Sequence, residues 1–153
     1  MGKEIERKFL ADISFMSYGV TAGHRLRQAY LSVRPEATVR VRIADSRATL
    51  TIKGITSGAT RSEWEYAIPT DDAVRMIDEC SCGNVIDKTR YIAGRWEIDV
   101  FHGALEGLIL AEIELDSEDE QVELPEFIIR EVTHDKRYYN SMLSSCETPP
   151  PIR

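Results

Sequence analysis

Six pairs of like-charged residues, each pair separated by one position, are the part of this sequence equipped for chemistry: Glu4/Glu6, Arg40/Arg42, Glu63/Glu65, Lys88/Arg90, Glu97/Asp99 and Glu112/Glu114. Lys8 continues the first pair, and Lys53 stands alone between the second and third. Successive side chains of a strand point to opposite faces, so each pair shares one face. Apolar residues hold the other: Ile5 and Phe9, Val39, Val41 and Ile43, Ile52, Trp64 and Tyr66, Trp96, Ile98 and Val100, Ile113 and Leu115. One charged pair is ordinary, because a half-buried strand shows water a polar face. Six same-sign pairs are not, because like charges at neighbouring positions repel and a solvated face mixes signs. Turned inward in a closed sheet, the set gathers eight carboxylates and six cations. Buried charges must be paired or must coordinate metal. One or two divalent cations would reverse the negative surplus and leave a cavity suited to an anion with several phosphates.

The elements that must position these residues are mostly strands. Alternation predicts them over 3–10, 25–34, 37–44, 48–55, 61–68, 86–92, 95–101 and 109–116, with a shorter extended piece at 127–133. Ala44-Asp45-Ser46-Arg47 and Ala93-Gly94 read as hairpin turns, and Gly54 to Gly58 as a longer connection. One helix is expected after Thr70-Asp71-Asp72, with Thr70 opening an acidic N-terminal cap, Val74, Ile77 and Cys80 at helical spacing, and Gly83 closing it. A second is expected over 135–146, with Tyr138 or Tyr139, Met142 and Cys146 on its apolar side. The fold class is therefore mainly β: a mostly antiparallel β fold with a few covering helices.

Length and composition set the limits. A chain of 153 residues suits one domain, expected over 1–147, with Thr148 to Arg153 as a flexible tail. No run approaches the ~18 apolar residues of a membrane span. The first residues, Met1 to Lys8, lack the apolar stretch of a secretory signal, so a cytoplasmic location is expected. Cys80, Cys82 and Cys146 are odd in number, and the three histidines, His24, His102 and His134, are scattered, so a soft-metal site is not expected. A formal net charge of −7 argues against general nucleic-acid binding, which needs a basic face.

Glu4-Ile5-Glu6-Arg7-Lys8 resembles the ExExK signature that opens the CYTH, or triphosphate tunnel metalloenzyme, family. The later charged pairs follow in that family's order, as do Gln28-Ala29-Tyr30-Leu31, Glu131-Val132-Thr133, Tyr138 and Asn140, so the resemblance spans nearly the whole chain. It implies an eight-stranded antiparallel closed β-tunnel with a charged lumen and a few helices packed outside. It also implies divalent-metal-dependent cleavage of a triphosphate phosphoanhydride, and the short bacterial members, which this length resembles, often prefer inorganic triphosphate.

On that resemblance the residue roles are expectations. Glu4, Glu6 and Glu114 would hold one Mg2+ or Mn2+. Glu63, Asp99 and Glu112 would hold a second metal or the attacking water, with Glu65 and Glu97 as further ligands. Arg40, Arg42, Lys53, Lys88 and Arg90 would grip phosphate oxygens, the arginines bidentately. Lys8 would stabilise developing charge or orient the water. Tyr30 either packs or touches the leaving phosphate, while Lys136 and Arg137 read as a solvated helix start. The expected partner is a small phosphorylated substrate, with no nucleic acid and no membrane, for a monomer or homodimer. Alternatives on the same fold are a thiamine triphosphatase and a class IV adenylyl cyclase, though no adenine-reading constellation is visible. A non-catalytic polyphosphate-binding module is an alternative of another class, but it could dispense with the carboxylates.

Overall fold

The structure is a computed structural model that describes residues 2–145 and 149–150. Nine strands form one antiparallel sheet: β1 (Gly2–Ala11), β2 (His24–Arg34), β3 (Ala37–Ala44), β4 (Arg47–Lys53), β5 (Thr60–Ile68), β6 (Cys82–Ala93), β7 (Trp96–Phe101), β8 (Ile109–Glu114) and β9 (Ile128–Glu131). Eight of them close on themselves, because the first half of β1 pairs with β5 while its second half pairs with β8. The ninth, β9, adds to β1 at Phe9–Ala11. Two short helices accompany the barrel, α1 (Thr70–Cys80) and α2 (Asn140–Leu143). No helix among the described residues is long and apolar enough to cross a membrane.

The barrel is inverted: its apolar core lies mainly outside the wall. Ala73 and Ile77 of α1 pack on Ala29, Val41 and Ala48 of β2, β3 and β4. Across the barrel, Phe9, Trp96, Ile98 and Ile113 face outward beneath Phe15 and Phe127. Phe9 meets Trp96 edge-on at 5.4 Å between ring centroids, and Trp96 meets Phe127 in the same way at 6.1 Å. Phe15 belongs to a 3-10 turn, Ile13–Ser17, that no periodicity announced. Each side chain buried this fully stabilises by roughly 1.5–3 kcal/mol, which is how the fold tolerates a polar interior.

A third cluster fills one end of the lumen. Leu10, Tyr30, Ile86, Phe101 and Leu110 meet Val132, Tyr138 and Leu143 there. The segment after β9 crosses this end. It is tied to β1 by the Lys8 amide donating to Thr133 Oγ1 at 3.0 Å, and to β6 by the Asn84 amide donating to the Ser144 carbonyl at 2.7 Å. Gly83, at φ +83, makes the crossing feasible: a Cβ there would lie 2.9 Å from the Ser144 carbonyl oxygen.

Both expected helices differ in detail. Pro69, not Thr70, occupies the N-cap of α1, and the Thr70 hydroxyl donates to the Ser46 carbonyl, tying the helix to the β3–β4 turn. The buried stripe runs through Ala73 and Ile77, leaving Val74 and Cys80 exposed, and Gly83 belongs to β6. The helix expected over 135–146 is a 3-10 turn, Lys136–Tyr138, an extended Tyr139 and the single turn of α2. Its continuity is lost because Lys8 Nζ takes the Tyr138 carbonyl at 3.1 Å, an acceptor that a regular helix would use internally. Leu143 is buried and Met142 exposed, while Cys146 and most of the expected tail lie outside the described residues. The second hairpin turn sits one residue later than expected, at Gly94-Arg95, because Ala93 pairs with Trp96.

Candidate active site

Beyond the apolar cluster the lumen holds a cavity of about 300 Å³ whose wall is almost entirely polar. Seven carboxylates and six cations line it. The register decides which of them meet. Lys8 lies opposite Glu112 and Glu6 opposite Glu114 across β1 and β8, while Lys53 lies opposite Glu63 across β4 and β5.

The carboxylates of β1, β5 and β8 outnumber the cations beside them. Glu4 accepts two bonds from Lys53 Nζ, at 2.8 and 3.0 Å. Burial would raise its pKa, but Lys53 outweighs that and holds it below the usual value. Glu63 bonds to Glu4, and burial, that bond and the Glu4 charge push its carboxyl up to about 7. Burial followed by Glu112 and Glu4 raises Glu6 well above the ordinary range. Glu112 takes the opposite course. Burial opposes ionisation, yet the Lys8 charge, 4.0 Å away, and a bond from Glu6 bring it down to about 2. In each of two carboxyl pairs, Glu4 with Glu63 and Glu6 with Glu112, one member is therefore raised and the other lowered.

The opposite wall is arranged differently. Asp99 accepts from Arg90 Nε and Nη2 at 2.7 and 2.9 Å and pairs with Lys88 Nζ at 2.7 Å. Burial would raise it, but these two cations hold it far below the carboxylate range. Arg90 also reaches Glu97 at 3.5 Å. Arg40 and Arg42 stand beside this group with no carboxylate of their own among the described residues. Arg40 Nη2 donates to Thr51 Oγ1 at 3.3 Å, and Arg42 Nε to Gln28 Oε1 at 3.2 Å. Burial, then Arg40 and Arg90, pull Arg42 down to about 10. Arg40 Nε and Gln28 Nε2 are buried donors without an acceptor. Such a wall lacks an anion.

Most residues singled out from the sequence line this one cavity. Glu4, Glu6, Lys8 and Tyr30 do so, with Arg40, Arg42 and Lys53; so do Glu63, Glu65, Arg90 and Glu97, with Glu112 and Glu114. Lys88 and Asp99 do not: they lie within the wall, essentially without exposure, as a pair beneath Arg90. Lys136 and Arg137 are also absent from the lining, and Arg137 pairs with Asp135. Sequence reasoning missed Arg61, Thr38 and Thr51, which the two-residue period places on the same faces as Glu63, Arg40 and Lys53. It also missed Tyr139 and Ser141 and left Asn140 without a place in the site; they arrive through the crossing segment, which has no periodic signal.

Among the described residues no three His, Cys, Asp or Glu side chains gather closely enough to hold a metal ion. The donor chemistry nonetheless fits: five inward carboxylates, Glu4, Glu6, Glu63, Glu112 and Glu114, offer the hard oxygens that Mg2+ or Mn2+ prefers.

Comparison with known proteins agrees with this geometry. A family model described as the CYTH domain matches residues 2–147. An inorganic triphosphatase of Acetivibrio thermocellus is 42% identical over 148 residues, covering 94% of each chain. One from Nitrosomonas europaea is 35% identical over 150 residues, covering 92% of this chain and 96% of that one. The crystal structure of an inorganic triphosphatase superposes with a TM-score of 0.64 at 32% identity, over 96% of this chain and 100% of that one. A conserved hypothetical protein from Pyrococcus furiosus, 19% identical over 76% of this chain and 80% of its own, has a TM-score of 0.58, a likeness of fold alone.

Proposed function

Because the chain belongs to the CYTH domain family, we propose that it hydrolyses inorganic triphosphate to pyrophosphate and phosphate with the help of Mg2+ or Mn2+. One observation carries the reading: guanidinium groups without a carboxylate of their own among the described residues, Arg40 and Arg42, share a cavity with carboxylates that outnumber the cations beside them. A polyphosphate with its divalent ion satisfies both walls at once.

Arg40, Arg42 and Arg90 would grip phosphoryl oxygens, Arg90 held in its orientation by the buried Asp99. Lys53 and Lys8 neutralise the anion near the carboxylates. Lys8 is fixed by the Tyr138 carbonyl and lies 5.9 Å from the Tyr139 ring centre. Glu4, Glu6, Glu112 and Glu114 would hold the metal, with Glu65 and Glu97 as outer ligands. When bound, Mg2+ or Mn2+ supplies Lewis-acid polarisation of the phosphoryl oxygens. Glu63, with its pKa near 7, is suited to accept a proton from the attacking water as the bond to the bridging oxygen breaks. Tyr30, at the edge of the apolar cluster, places its hydroxyl for the leaving group. With little covalent work for the protein, positioning and charge neutralisation dominate.

The test is phosphate release from inorganic triphosphate, ATP, thiamine triphosphate and pyrophosphate, each with Mg2+, Mn2+ or EDTA. Fast metal-dependent cleavage of inorganic triphosphate alone is expected. Preference for an organic triphosphate would overturn the substrate, and binding without release would make the protein a polyphosphate-binding module.

A further inference from the structure

Arg61 is a cavity-lining cation that the sequence pattern of inward charges left out. It lies on β5 two positions before Glu63 and shares the inward face, opposite Glu4 of β1. The neighbouring loop, Ile55 to Gly58, is exposed. A long cation beside such an opening ordinarily carries its charge into water. Arg61 turns the other way. Its Nε donates to the Gly54 carbonyl at 3.1 Å, and its Nη2 reaches Thr38 Oγ1 at 3.4 Å. Both partners are neutral oxygens, and among the described residues no carboxylate pairs with it. Lys53, by contrast, is neutralised by Glu4 at 2.8 Å.

The register places this guanidinium. Thr38 pairs with Lys53, and Lys53 with Glu63, forming one row across β3, β4 and β5. Arg40, Thr51 and Glu65 form the next, and Arg42 stands in the row after that. Rows on one face are two residues apart, roughly 7 Å. Arg61 itself stands in the row before the first of these, but its Nη2 extends to Thr38, so Arg61, Arg40 and Arg42 form a ladder of guanidinium groups along one inward face, none with a carboxylate of its own among the described residues. A longer chain of phosphoryl groups reaches further along this ladder than pyrophosphate does.

Resting on the proposed triphosphatase reading, we propose that Arg61 anchors the outer end of a linear polyphosphate and selects chains of three or more phosphoryl groups over pyrophosphate. The experiment compares the wild-type protein with Arg61→Gln and with Arg61→Lys, which keeps the charge but loses the fork. Turnover of inorganic triphosphate is followed with Mg2+ or Mn2+, along with inhibition by pyrophosphate. In Arg61→Gln the KM for triphosphate should rise about tenfold or more, the loss of a charge-assisted contact, while inhibition by pyrophosphate stays as in the wild type. Arg61→Lys should fall between. Thermal unfolding shows that each variant is folded, and if the Gln variant is not, the Lys variant decides. An unchanged KM, or equal weakening of triphosphate and pyrophosphate, overturns the proposal. Should the wild type fail to cleave triphosphate, the functional reading falls by itself. Equilibrium binding of triphosphate then decides the role of Arg61: weaker binding to the variants supports it, and equal binding overturns it.

Discussion

Two walls of the same lumen are built from the same residue types at the same spacing, yet they behave oppositely. Around Asp99 the charges are complementary and close: Lys88 and Arg90 both lie 2.7 Å from it. Around Glu6 the neighbours are carboxylates, Glu112 and Glu4, with Lys8 and Lys53 too few to neutralise them. The first region is internally satisfied and so serves as structure, orienting Arg90. The second is only partly neutralised, by Lys53 and Lys8, and so is suited to a further cation. The difference lies in what faces each group across the strands, since the carboxylates themselves are alike.

The largest test of that contrast is Asp99→Ala. It leaves Lys88 buried without its counter-ion and Arg90 with only Glu97 at 3.5 Å, and a loss of about 3–5 kcal/mol is expected in urea unfolding. A near-neutral result would show that Asp99 is not a structural counter-ion. Glu6→Gln should do the reverse. Turnover of inorganic triphosphate should fall at least about 100-fold, comparable to losing one preorganised electrostatic contact. The unfolding midpoint in EDTA should stay level or rise, because a neutral amide relieves the crowding of carboxylates. Near-normal turnover in this variant would sink the metal assignment.

The next effect is a pH dependence. Glu63 and Glu6 have raised values in the folded protein, so each stabilises fully below the ordinary carboxylate pKa of 4.5. That contribution is lost as pH rises, for Glu63 through about 7. Glu112 and Asp99 are depressed, so their contribution is complete above the ordinary range and disappears as pH falls, for Glu112 through about 2. In EDTA the melting temperature should therefore decline by a few degrees between pH 5 and pH 8. Mg2+ or Mn2+ should remove that decline, and one that persists with metal would detach it from the carboxyl pairs. The smallest expected effect is that of Tyr30→Phe. Turnover should drop two- to tenfold, about the value of one neutral hydrogen bond, with the melting temperature unchanged because the ring remains in the apolar cluster.

The strands and their inward faces were legible because a two-residue period survives in the sequence whatever the tertiary context. Glu4, Glu6, Arg40, Arg42, Glu112 and Glu114 were placed on a lumen that way, and all line the cavity. Arg61 carried the same signal and was passed over because its charge is opposite to that of Glu63 and Glu65. Thr38 and Thr51 carry no charge at all. The crossing segment was misread as a regular helix because helical spacing cannot show that Lys8 removes the Tyr138 carbonyl. Val74 and Cys80 shared the spacing of Ile77 on α1 yet remained exposed, since the face of α1 that meets the sheet carries Ala73, Met76 and Ile77.

By itself the sequence determined an antiparallel inverted barrel, because charge and apolarity alternate residue by residue along each strand. Tertiary structure alone decided which charges face which. Register joins Asp99 to Arg90 from another strand and sets Glu6 opposite Glu114, and Coulomb energies depend on those distances through space. A two-residue period says where a side chain points; only the closed sheet says what it meets.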